Sequence, residues 1–262
     1  MISFVGAGPG AADLITMRGR DRLAVADIVV WASSLVPEAL LAHAEPGSTI
    51  YDSASMTLED VLRVYEAAPG AAIVRLHSGD PSVYGAIQEQ IDWCRRAGRE
   101  FEIVPGISSM SAAAAAVGRE LTIPRVAQSV VLTRLAGRTS ASMPPKESVA
   151  AFATVGATMA VFLSAALPQQ LQDELLGAGS AYSVDTPAVI VVRASWPDER
   201  VVPTTVGRLA ADLLATGAKT TVLVLVGPAL AGVAPRSRLY APDYAHKFRR
   251  RSHPGTTTGR PA

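Results

Sequence analysis

The chain has 262 residues, room for one large domain or two smaller ones, and its 24 Lys and Arg nearly balance 23 Asp and Glu. About half of it is apolar but only 5% is aromatic, so its core must be built from Ala, Val, Leu and Ile, as buried parallel strands and their helices usually are. From Ala241 onward Lys247, Arg249, Arg250, Arg251 and Arg260 face Asp243 alone, which leaves the body slightly acidic and argues against nucleic acid as the main ligand.

Cys94, the only cysteine, can form neither an internal disulfide nor a Cys-x-x-Cys metal pair, so it reads as a structural thiol in a reducing cytoplasm with no metal site. The first residues lack a secretory pattern, and the longest apolar run, Val222 to Ala234, is short and broken by Gly227 and Pro228. No membrane span is expected.

Short β-branched runs at Ile2 to Val5, Ile28 to Trp31, Ala72 to Leu76 and Phe101 to Val104 alternate with helical stretches at Val61 to Ala67 and Ala86 to Arg96. That is the rhythm of a parallel sheet covered on both faces. The run SSMSAAAAAVG after Pro105-Gly106 predicts a helix of small residues, able to approach another element closely. At RELTIPRVAQ the rhythm breaks, and a second set of strands is predicted at Ser129 to Thr133, Met159 to Leu163, Ala188 to Val192 and Thr221 to Val226. The expected organisation is therefore an α/β protein of two α/β domains, residues 1–118 and 119–240, followed by a disordered basic tail, 241–262. A long polar loop, AGRTSASMPPKES, follows Leu135; loops of this length in compact domains are usually functional or mobile.

The first strand runs into Gly6-Ala7-Gly8-Pro9-Gly10-Ala11, which formally satisfies a dinucleotide-binding pattern. Two residues speak against that use. Pro9 has no N–H to offer a pyrophosphate, and the second strand ends in WASS without the carboxylate that would take ribose hydroxyls. A helix start fits better at Thr16, whose hydroxyl can cap the following turn. Two further glycine turns follow strands, at Ser78-Gly79-Asp80-Pro81 and at Pro105-Gly106 with Ser108 and Ser109. Ligands of open parallel sheets bind at the carboxyl ends of strands, where all three turns lie.

These motifs carry a family resemblance. VGAGPGAADLITMRG, HSGDPSVYGAIQEQ, VPGISSMSAAAAA, ELTIP and ASWPDERVV, in this order and spacing, resemble the tetrapyrrole (corrin/porphyrin) methyltransferases over about the first 240 residues. WASSLVP, VVLTRLAGRTS and VFLSAALPQQL are most similar to the branch acting on carbon 11 of precorrin-4. The resemblance implies a trough between the two domains that holds S-adenosylmethionine, released as S-adenosylhomocysteine, and a substrate that is precorrin-4 or cobalt-precorrin-4. It also implies a homodimer. Carried over by position, cofactor contacts fall on Pro9, Ser78, Gly79, Asp80, Val83, Tyr84, Ser108, Ser109, Leu163 and Ala194, and on Thr220 and Thr221 in the last strand. Leu163 stands where many relatives have Met and Ala194 where many have Gly; both keep the contact apolar and close.

Methyl transfer from a sulfonium removes charge from sulfur and needs no oxyanion hole, so alignment of the reactants, roughly 7 kcal/mol or more, outweighs a general base at roughly 3 to 5 kcal/mol. No catalytic triad is expected. Asp80 is the candidate for a catalytic or orienting role, with a turn-capping carboxylate as the alternative. Tyr84 reads as a ligand contact or as core, and His77 as a proton carrier or a buried imidazole. A substrate ringed by carboxylates calls for guanidinium groups, for which Arg18, Arg134 and Arg138 are candidates. The same fold also serves methylation of uroporphyrinogen, of ribosomal RNA and of a modified translation-factor histidine. A carrier without catalysis is the alternative from another class.

Overall fold

The fold is taken from a computed structural model, which describes residues 1–137, 140–144, 146–232 and 234–256. Strands β1 (Ile2–Gly6), β2 (Ile28–Trp31), β3 (Thr49–Asp52), β4 (Ile73–His77) and β5 (Phe101–Val104) make an all-parallel sheet in the order β3-β2-β4-β1-β5. Successive side chains enter opposite faces, so the inner strands feed two cores. Val5, Val29, Val74 and Leu76 pack with Leu23 of α1 (Met17–Leu23). Phe4, Val30 and Ile73 pack with Val61 and Tyr65 of α2 (Leu58–Ala67) and with Ile91 and Cys94 of α3 (Gln88–Arg96). The lone thiol is thus a core residue, and burial pushes it up.

Thr16 caps α1 as its position predicts, accepting the Gly19 N–H at 3.1 Å. The start of α3 differs from the sequence expectation. Ala86 sits at φ +49°, outside right-handed helix space, so the helix begins at Gln88. Strand β3 was not anticipated: it is an edge strand with all four residues exposed, and so lacks the apolar signal.

The second sheet contains β6 (Val130–Arg134), β7 (Thr158–Phe162), β8 (Pro187–Val192), β9 (Arg200–Thr205) and β10 (Val222–Val226), in the order β6-β7-β10-β8-β9. Only β6 and β7 are parallel; the other three pairings are antiparallel. β9, also unanticipated, lies at the edge, where Pro203 is tolerated. One face, with Met159, Val161, Ile190 and Val224, is covered by α5 (Val149–Ala153), α6 (Pro168–Leu175) and α7 (Leu209–Ala215). The other face, with Ala160, Val189, Val191, Leu223 and Leu225, receives α4 (Ser109–Val117) through Ala112 and Ala113. The alanine-rich helix that follows the first sheet therefore packs on the second.

The connecting segment is tied down by Arg119, whose guanidinium donates to the carbonyls of Ala229, Ala231 and Gly232. Within 241–256, Arg249 donates to the carbonyls of Leu239, Ala241 and Tyr244. The remainder of the basic tail, 257–262, lies outside the described residues.

Candidate active site

The three glycine turns meet at the carboxyl end of the first sheet. Gly8 and Gly79 exchange backbone hydrogen bonds, the Gly79 N–H donating to Gly8 at 2.8 Å and the Gly8 N–H to Gly79 at 3.2 Å. A methyl on Gly106 would lie 2.2 Å from the Gly79 carbonyl oxygen and 2.7 Å from the Gly6 Cα. The glycines are there because three backbones pass closer than any side chain permits. Asp80 clamps the assembly: one carboxylate oxygen accepts the Ser82 N–H and the other the Gly106 N–H, both at 2.8 Å. Ser108 caps α4, accepting the Met110 N–H at 3.3 Å.

Above these turns a cavity of about 960 Å³ opens between the two sheets. Pro9, Ser78, Gly79, Asp80, Val83 and Tyr84 line it from the first sheet, with Ser108 and Ser109 from the start of α4. Leu163, Ala194, Thr220 and Thr221 line it from the second. Every residue assigned to the cofactor by position thus lies on one cavity. Arg134, at the end of β6, lines it too and donates to Ser142 at 2.8 Å.

Arg18 does not line the cavity. It is exposed in the first turn of α1, and its charge acts on Glu102 of β5, which is also paired with Arg22; helix α1 thus turns Arg18 and Arg22 toward that strand rather than toward the cavity. Arg138 lies outside the described residues. His77 is buried beneath the Ser78 turn, and burial with the field of Arg75 lowers it to about 3, so its imidazole is neutral at physiological pH. It does not line the cavity.

Backbone strain collects around this space. Tyr84, Leu163 and Thr221 line it with φ of +56°, +53° and +55°, and Arg193 and Ser195, on either side of Ala194, have φ of +51° and +65°. Non-glycine residues in this region cost about 1 kcal/mol or more each and persist where the surroundings hold them, commonly at ligand sites. Leu163 is 67% exposed despite its apolar side chain. Tyr84 packs against Phe162 with ring centroids 5.2 Å apart; burial pushes its hydroxyl up while the Arg134 guanidinium pulls it back.

Sequence reasoning missed Leu35, Phe162, Ser164 and Lys219, which also line the cavity. Leu35, Phe162 and Ser164 lie within WASSLVP and VFLSAALPQQL, motifs that resemble the family, but no residue type there announces a role. Ser164 is the informative one: its hydroxyl is wholly buried and has no hydrogen-bond partner among the described residues.

The profile of the family described as Tetrapyrrole (Corrin/Porphyrin) Methylases matches residues 1–210. The chain belongs to the tetrapyrrole methylases. Among members of this family, the precorrin-4 C(11)-methyltransferase of a Sinorhizobium species is 46% identical over 253 residues, 95% of this chain and 98% of that one. The cobalt-precorrin-4 C(11)-methyltransferase of Methanocaldococcus jannaschii is 41% identical over 255 residues, 95% of this chain and 96% of that one. The X-ray structure of a cobalt precorrin-4 methyltransferase superposes with a TM-score of 0.83 at 42% identity, covering 88% of this chain and 96% of that one. A uroporphyrin-III C-methyl transferase from Thermus thermophilus, solved with S-adenyl homocysteine, gives 0.72 at 29% identity, covering 87% and 98%.

Proposed function

We propose that this tetrapyrrole methylase transfers the methyl group of S-adenosylmethionine to carbon 11 of precorrin-4 or cobalt-precorrin-4, a step of cobalamin biosynthesis. The observation that carries the reading is the single cavity on which all the position-matched cofactor residues fall, in a chain more than 40% identical to C(11)-methyltransferases.

The lining suits a cofactor without phosphate. Two cations, Arg134 and Lys219, line the cavity among the described residues, where a nucleotide site would gather several donors around its phosphates. Apolar walls at Leu163, Val191, Ala194 and Leu223 suit an adenosyl group. Bound there, S-adenosylmethionine supplies an electrophilic methyl group, and S-adenosylhomocysteine is what remains after transfer. Pro9, Ser78, Gly79, Val83, Ser108, Ser109, Thr220 and Thr221 hold and orient, and Tyr84 with Phe162 forms an aromatic wall.

Asp80 acts as an orienting residue, because both of its oxygens already accept backbone N–H groups of the turns. Arg134, with Arg138 as the second candidate, would face substrate carboxylates. The rate then derives mainly from alignment of two bound reactants, as expected for an in-line displacement. A homodimer in the cytoplasm accompanies this reading, the dimer supported by the resemblance and the compartment by the lone Cys94, which has no disulfide partner in the chain; light scattering on the purified protein tests the dimer. Incubation with precorrin-4 and methyl-labelled S-adenosylmethionine, with the new methyl located by NMR, tests the reaction. Label at carbon 11 is expected, and label at any other carbon overturns the assignment.

A further inference from the structure

The loop after β1 and the loop after β8 belong to different sheets, yet they are fastened to each other. The Ala11 N–H donates to the Ser195 hydroxyl at 3.0 Å, and the Trp196 indole N–H donates to the Pro9 carbonyl at 3.0 Å. The indole also fills the place where a side chain on residue 10 would stand: a methyl on Gly10 would meet Trp196 Cδ1 at 2.2 Å and Nε1 at 2.5 Å. Gly10, the last glycine of the apparent nucleotide pattern, is therefore a seat for a tryptophan.

The indole is itself braced. The Arg193 guanidinium stacks on it 4.0 Å from the ring centroid and pairs with Asp198 at 2.6 Å, while Glu199 accepts the Ser195 N–H at 2.6 Å. Arg193 and Ser195 hold left-handed backbone on either side of Ala194. Both ends of this clasp adjoin the cavity, since Pro9 and Ala194 line it and Trp196 does not.

We propose that Trp196 is a positioning residue: with Ser195 it clasps the β1 loop to the β8 loop and so fixes the separation of Pro9 and Ala194 across the cofactor end of the cavity. The inference rests on the reading of that cavity as the S-adenosylmethionine site. Its consequence is selective. Loosening the clasp weakens the cofactor while leaving tetrapyrrole recognition, assigned to Arg134 on the other side of the second sheet's strand order, unchanged.

The test uses Trp196→Phe, which keeps an aromatic ring at the position but removes the indole N–H and part of the ring over Gly10, together with Ser195→Ala, which removes only the hydroxyl acceptor, and Gly10→Ala. The dissociation constant for S-adenosylhomocysteine is measured by calorimetry, and KM for cofactor and for precorrin-4 by steady-state kinetics. Losing one hydrogen bond should raise the dissociation constant and the cofactor KM about fivefold in Trp196→Phe. Gly10→Ala should raise them further, with the precorrin-4 KM within about twofold of wild type. Ser195→Ala carries the same expectation should Trp196→Phe fail to fold. Unchanged affinity in the folded variants overturns the clasp, as do equal rises in both KM values. Wild-type protein that binds no S-adenosylhomocysteine would instead overturn the cofactor reading.

Discussion

Replacing Gly106 by alanine should be among the costliest single-methyl additions in this protein. The new methyl would stand 2.2 Å from the Gly79 oxygen and 2.7 Å from the Gly6 Cα, against an optimal separation of about 3.5 Å or more. Both neighbours are backbone, so no side chain can rotate away, and the turns must part by about 1 Å. Parting them strains the Gly106 N–H to Asp80 bond and the Gly8–Gly79 pair. Overpacking of about 1–3 kcal/mol, plus a charge-assisted bond at about 1.5–3 kcal/mol, gives a loss of about 2.5–6 kcal/mol. The midpoint of thermal unfolding should fall by about 10 °C. Gly70→Ala is the control: nothing lies within 4 Å of its added methyl and its φ is not positive, so it should be neutral or stabilising by about 0.4–1 kcal/mol. Urea unfolding followed by circular dichroism measures both. Gly106→Ala within about 0.5 kcal/mol of wild type would refute the close-passage account of the glycines.

Asp80→Asn leaves one acceptor oxygen and turns an NH2 toward the second backbone N–H, so cofactor KM should rise about tenfold while precorrin-4 KM holds; initial-rate kinetics with each substrate varied decides it. Arg134→Ala should do the reverse, raising precorrin-4 KM by about tenfold or more with little change for S-adenosylmethionine. His77 is lowered from the ordinary value near 6.5 to about 3, so between these values the unfolded chain binds a proton that the folded one refuses. Stability from this residue is complete above about pH 6.5 and is lost as pH falls toward 3, by up to about 1.4 kcal/mol per pH unit. His77→Gln should flatten the slope of urea-unfolding stability between pH 6.5 and 5, and an unaltered slope would show the imidazole to be protonated in the fold.

The strands most legible in the sequence are those buried on both faces, such as Ile73–His77 and Val222–Val226, while the edge strands Phe101–Val104 and Val130–Arg134 were legible from their short β-branched runs. β3 and β9 were not legible because an edge strand half in water needs no apolar run, and Pro203 reads as a turn unless its edge position is known. Pro9 and the absent carboxylate after β2 sufficed to set aside a dinucleotide loop, but nothing local could show that Gly10 is a glycine because of Trp196, 186 positions further on. Cavity-lining residues that bring their own chemistry or a repeated turn, Asp80 and Ser108 among them, were legible by pattern. Ser164 and Leu35 became visible only once the two sheets faced each other. Arg18 failed for the opposite reason: charge near a glycine turn is common, and the helix direction that sends it toward Glu102 is a tertiary fact.

The small-residue helix α4 gives the molecule a covalent cross-over between its halves. It follows the last strand of the first sheet in the chain, yet Ala112 and Ala113 seal Val189, Val191, Leu223 and Leu225 of the second. A cut near residue 118 would carry that seal away with the wrong fragment, exposing a bare apolar sheet face on one piece and a lidless helix on the other. Neither fragment is a self-sufficient folding unit on these terms, and heat or urea should therefore melt both sheets in a single cooperative transition. A protein whose halves must form together cannot assemble one wall of its cavity without the other.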